Sequence, residues 1–197
     1  MAKTLATLTL AFFSSLALAQ SPRAADLVHP QLLADTTAIQ PGRLFHLAIL
    51  LHISPHWHVY WKNPGDSGQA VSSTFSLPTG FTSSPLQFPV PTKFLQPGDL
   101  IAYGYENEVL LLTTITPPAN LPATDPITLQ ANLKFLVCDQ TCLPGHASLS
   151  LTLPISADST PANPDLFKEW LPQFPTPPAT IADIHTTSSP ISIDITW

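Results

Sequence analysis

Two runs of alternating residues, joined by a Cys-x3-Cys segment, constrain this chain most. Ile127, Leu129, Ala131, Leu133, Phe135 and Val137 share one side; Thr128, Gln130, Asn132 and Lys134 share the other. Ala147, Leu149, Leu151 and Leu153 repeat the pattern against Ser148, Ser150 and Thr152. A period of two belongs to a strand with one buried face. Between the runs lie Cys138-Asp139-Gln140-Thr141-Cys142 and then Leu143-Pro144-Gly145, so the cysteines are expected in a hairpin loop. No other cysteine exists for either to pair with inside the chain.

A bridge across so short a loop is a weak staple. Closing about five residues gives roughly 2 kcal/mol by loop entropy, against more than 4 for about 100 residues. Such a bond is better suited to being made and broken, which is the redox reading. The alternative is a small structural clamp on the hairpin. Parity puts Cys138 on the side of Asn132 and Lys134, away from the core face, and so predicts an accessible sulfur. A structural cysteine is more often buried.

The compartment decides what such a pair can mean. Lys3, an uncharged and mostly apolar stretch from Leu5 to Leu18, and Ala17-Leu18-Ala19 read as a cleavable secretory signal over residues 1–19. The apolar stretch is shorter than the ~20 residues of a membrane span. The mature protein is expected to be periplasmic and soluble. In an oxidising compartment a dithiol stays reduced only if something reduces it.

Further strands are expected at Leu44–Ile53, Trp57–Trp61 and Glu108–Thr116. In the first, Phe45, Leu47, Ile49, Leu51 and Ile53 face one way, and His46 and His52 the other. Asn63-Pro64-Gly65, Pro78-Thr79-Gly80 and Pro97-Gly98 punctuate the gaps. These signals predict an all-β, immunoglobulin-like antiparallel sandwich over residues 28–155. Residues 156–197 read as a Pro-rich linker holding one short helix, with Asn163 as its cap and Pro164 first. Leu166, Phe167 and Trp170 form that helix's apolar side. The alternating Ile191–Trp197 reads as a last strand, docked on the sandwich or opening a further domain.

Charged residues make up 10% of the chain and the net charge is −6, with no basic run. Nucleic acid is therefore excluded as a partner class. No Ser or Asp sits in a nucleophile motif, which leaves a hydrolase without support. His52, His56 and His58, with His46 at the parity of His52, offer a rival metal reading for copper or zinc. No metal or other cofactor is assigned.

The stretch His56-Trp57-His58-Val59-Tyr60-Trp61-Lys62-Asn63-Pro64-Gly65-Asp66-Ser67-Gly68 resembles the signature of the N-terminal periplasmic domain of DsbD-type thiol:disulfide interchange proteins. It is most similar to the branch that includes copper-sensitivity suppressor proteins. Tyr103-Gly104-Tyr105-Glu106 and the cysteine loop agree in order and spacing. The resemblance covers roughly residues 28–155. It implies an immunoglobulin-like domain that relays reducing equivalents from a thioredoxin-like donor to oxidised periplasmic proteins. In the family a membrane-embedded domain feeds that donor; here such a partner is expected in trans. By the resemblance, Cys138 and Cys142 are the catalytic pair, with Cys142 attacking and Cys138 resolving. Asp139 disfavours a Cys138 thiolate, whereas a nearby His146 or Lys134 would favour one. Tyr103, Gly104 and Tyr105 would cap the sulfurs, and Tyr60 would lie beside them.

Overall fold

The computed structural model describes residues 22–122 and 125–175. The expected signal segment and the expected strand at Ile191–Trp197 lie outside these residues.

Ten strands follow a one-turn helix, α1 (Ala24–Leu27). They are β1 (Val28–Ala34), β2 (Phe45–Ile53), β3 (His58–Gly65), β4 (Ser72–Ser76), β5 (Thr82–Ser83), β6 (Thr92–Gln96), β7 (Leu100–Glu106), β8 (Glu108–Thr116), β9 (Ile127–Cys138) and β10 (Cys142–Leu153). A helix, α2 (Pro164–Trp170), and a 3-10 turn at Leu171–Gln173 end the described chain.

All pairings between these strands are antiparallel and form two sheets, one ordered β1-β2-β8-β5 and the other β10-β9-β3-β7-β6. β4 lies end to end with β3 along the same edge of β9. The inner faces interdigitate in one core. Leu47, Ile49 and Leu51 of β2 and Leu111 of β8 are buried with Leu129, Leu133 and Val137 of β9. Fully burying each such side chain contributes about 1.5–3 kcal/mol. The all-β sandwich expected from the alternation is therefore the fold.

β8 departs from simple alternation: Val109, Leu110, Leu111 and Leu112 are all buried. Its partner β2 also buries Ala48 and Leu50 on the side of His46 and His52. The same core takes in Phe167 and Trp170 of α2, two of the three side chains assigned to the helix's apolar side. Asn163 does not cap that helix with its side chain. It takes a left-handed backbone, and its amide donates instead to the Ala34 carbonyl at 3.1 Å. The segment read as linker is fastened to the sandwich at several points. Ile155 bridges to Ile39, Pro161 bridges to Thr36, and Thr37 N–H donates to the Thr160 carbonyl.

Candidate functional site: a half-buried disulfide on the outer face of one sheet

The cysteines are the last and first paired residues of the β9–β10 hairpin, with Cys138 directly opposite Cys142. Only Asp139, Gln140 and Thr141 lie between them, tied by Asp139 N–H to the Thr141 carbonyl at 3.1 Å. The two are joined in a disulfide, with Cα atoms 4.2 Å apart. Their exposures differ sharply: Cys138 is 0% exposed, whereas Cys142 is open to solvent.

The parity expected for Cys138 holds, because it faces away from the core that contains Val137. The accessibility drawn from that parity is corrected. The outer face is covered at this point by a second small cluster of Cys138, Tyr60 and Ala102, with Phe94 and Leu136 packed against it. Alternation within one strand tells which side a residue faces. It is silent on whether a distant strand lies over that side.

The cover is built by β3, β6 and β7. Gly104 of β7 comes so close to β3 that an added Cβ would collide with the Val59 carbonyl oxygen. Gly68, at φ +95°, packs against the Tyr60 ring where a side chain would clash. These glycines let the Asn63–Gly68 turn and β7 close around Tyr60. Gln96 of β6 then ties the cluster together. Its amide nitrogen donates to the Tyr60 hydroxyl at 3.0 Å and lies 3.1 Å from His58 Nε2. Its amide oxygen accepts from the Ser67 hydroxyl.

His58 completes the site. It is buried, stacks on Phe94 with centroids 4.9 Å apart, and meets the Tyr60 ring edge-on at 5.1 Å. It is the register partner of Cys138 across β3–β9 and of Glu106 across β3–β7. Burial pushes its pKa down, opposed by the negative charges of Glu106 and Asp139.

Of the residues expected around the sulfurs, Tyr60 and Gly104 stand on the Cys138 face. Tyr103 and Tyr105 stand on the other. Tyr105 is part of the main core and donates its hydroxyl to the Pro89 carbonyl at 2.8 Å, with burial raising its pKa. Tyr103 packs against Trp61, ring centroids 6.3 Å apart. Their expected shielding role is therefore corrected. Successive side chains of a strand point to opposite faces, and Gly104 occupies the position that faces the sulfurs. Phe94 and Tyr60 do the covering. Lys134 and His146 pair with each other four positions from Cys138 and Cys142, about 13 Å along the strands, and do not adjoin the sulfurs.

The histidines do not converge. His52 Nδ1 pairs with Glu108 at 2.9 Å, His46 Nδ1 pairs with Asp35 at 2.7 Å, and His58 lies in the other sheet. Among the described residues, no group of three or more His, Cys, Asp or Glu is placed to hold a metal. Among the same residues, no helix is long and apolar enough to cross a membrane.

Phe94 and Gln96 were not picked out from the sequence as site residues, and His58 was picked out as a candidate metal ligand rather than as a neighbour of the sulfurs. A signal existed for His58 alone, which shares the strand parity of Tyr60.

The cysteine pair stands at a hairpin tip on a two-sheet sandwich, and the match to a family profile gives the class, a thiol:disulfide interchange domain of immunoglobulin-like fold. The chain belongs to the family described as "Thiol:disulfide interchange protein DsbD, N-terminal", whose profile matches residues 25–154. Among solved structures it is similar to the N-terminal periplasmic domain of ScsB from Proteus mirabilis, at 19% identity and a TM-score of 0.57. That alignment covers 79% of this chain and 57% of the ScsB chain, so this chain spans little more than half of that length. The likeness is one of fold. The N-terminal domain of DsbD from Neisseria meningitidis aligns more loosely, at 7% identity and a TM-score of 0.37, over 67% of this chain and 90% of that one. A comparison with curated protein sequences gives no match.

Proposed function

We propose that this domain passes reducing equivalents through the Cys138–Cys142 pair to disulfide-bonded proteins of the periplasm. The observation that carries the reading is the asymmetry of the bond, one exposed sulfur joined to one buried sulfur at a hairpin tip. A partner thiolate can reach only Cys142 without moving the cover. Attack there forms a mixed disulfide and releases Cys138; attack by the partner's second thiolate then frees Cys142 and leaves the domain reduced. In the delivering direction Cys142 attacks the acceptor's disulfide, and Cys138 resolves the mixed bond. This division of labour is the one the family resemblance implies. A thioredoxin-like protein or domain is the expected donor, supplied in trans or from a longer protein. Export by the signal read at residues 1–19 would place the domain in the compartment where such acceptors occur.

The test is the reduction potential of the pair in folded protein, by equilibration in thiol buffers and alkylation. Rapid equilibration at roughly −270 to −120 mV supports the relay. A value below about −300 mV, or no reaction before unfolding, makes the bond a structural clamp.

A further inference from the structure

Four side chains cross the outer face of the second sheet in a single row. Cys142 of β10 pairs with Cys138 of β9, Cys138 with His58 of β3, and His58 with Glu106 of β7. Directly opposed residues in antiparallel strands share a face and have Cβ atoms about 4.5–5.5 Å apart. The two outer members, Cys142 and Glu106, are exposed, and the two inner ones are buried. The buried sulfur therefore has an imidazole as its neighbour on one side and its bonded partner on the other. The imidazole in turn borders a solvent-exposed carboxylate.

The exchange reaction creates a need at this spot. After Cys142 has attacked an acceptor, Cys138 must become a thiolate to resolve the mixed disulfide. In a cluster of Tyr60, Phe94, Leu136 and Ala102, an isolated thiolate is costly and bulk water is excluded as the base. We propose, resting on the relay reading above, that His58 is the general base for Cys138.

The step balances as follows. Neutral His58 takes the proton of the Cys138 thiol. The resulting thiolate attacks the Cys142 sulfur, the bond between Cys142 and the acceptor breaks, and its electron pair leaves on the acceptor sulfur. The imidazolium then gives its proton to solvent past Glu106. On reloading, His58 takes a proton back from solvent and gives it to Cys138 as that sulfur leaves.

A neutral ring offers one lone pair, and the Gln96 amide decides where it lies. With the amide nitrogen towards His58, Nε2 accepts and Nδ1 carries the proton. Turned end for end, the amide would present its oxygen to Nε2–H and to the Tyr60 hydroxyl, and its nitrogen to Ser67, which leaves Nδ1 free to take the Cys138 proton. The same amide orientation then serves the imidazolium. The charged and titratable groups facing the imidazole are Glu106 from β7, Asp139 from the hairpin loop, Cys138 from β9 and Tyr60 from its own strand. The two carboxylates favour the imidazolium that the step creates, and burial favours the neutral ring that begins it.

The test uses the reduced protein and 5,5′-dithiobis(2-nitrobenzoic acid). The first equivalent of coloured thiolate reports attack by Cys142; the second, released at a concentration-independent rate, reports closure by Cys138. His58→Gln is expected to leave the first phase unchanged and to slow the second about 100-fold near neutral pH. The deficit should shrink as pH rises, or on adding free imidazole, because an outside base then replaces the missing one. Equal closure rates in both proteins, or a slowing that is the same at every pH, would overturn the proposal. Should His58→Gln not fold, Glu106→Gln at the exposed end decides. It must move the inflection of the closure rate to lower pH, and an unmoved inflection would overturn the role of His58. If the wild-type protein releases no second equivalent at any pH, the relay reading itself falls.

Discussion

His58 shows at the residue scale how a pKa becomes a stability. Folding lowers its pKa below the ordinary 6.5, chiefly by burial. At a pH above 6.5 both the folded and the unfolded chain hold it neutral, and its contribution is complete. As pH falls below 6.5 the unfolded chain takes up a proton that the folded one refuses, so stability declines until the folded value is reached. Urea unfolding of wild type and His58→Gln at pH 8, 6 and 5 should show the gap between them narrowing as the pH drops; a constant gap would contradict a depressed pKa. Tyr105 makes the converse case. Its hydroxyl holds the Pro89 carbonyl in the main core, so Tyr105→Phe should cost about 0.5–1.5 kcal/mol. Disulfide exchange by the folded protein should be unchanged, because the ring is on the far side of β7 from Cys138; a change in the rate of alkylation of reduced Cys138 would restore Tyr105 to the cap.

At the scale of elements, each strand's own alternation was readable in the sequence and its neighbours were not. β8 occupies the expected Glu108–Thr116 without simple alternation, β9 runs one residue past the alternating Ile127–Val137, and the parity of Cys138 was correct. What covers Cys138 comes chiefly from β3, β6 and β7, far from it in sequence, and no local period encodes that contact. The same limit applies to Tyr103 and Tyr105, where the motif marked the right segment and the strand's twofold period decided which of its residues face the sulfurs. Phe94 is therefore the residue through which β6 acts on the site. Phe94→Ala should make reduced Cys138 react faster with iodoacetamide, measured in a Cys142→Ser background. It should cost less than the ~3–5 kcal/mol of a fully buried Phe, since the ring is only half-buried. An unchanged alkylation rate would mean that Tyr60 and Leu136 suffice as cover.

For the whole molecule, the question is whether the fold depends on the bond that the chemistry must break. The core is assembled from both sheets, α1 and α2, and Cys138 belongs instead to the small cluster outside it. The fastening of residues 155–170 also holds without the bridge, through Ile39–Ile155 pairing and the burial of Phe167 and Trp170. Across so short a loop, the disulfide constrains the unfolded chain by only about 2 kcal/mol. A relay domain has to stand in both redox states, and this division allows it. Chemical unfolding of the reduced and oxidised protein should therefore give two cooperative transitions separated by about 2 kcal/mol, with the reduced form fully folded in the absence of denaturant. Loss of the near-ultraviolet circular dichroism on reduction alone would show that the hairpin tip is a staple after all. The sandwich would then be a scaffold that needs its bond rather than one that lends it.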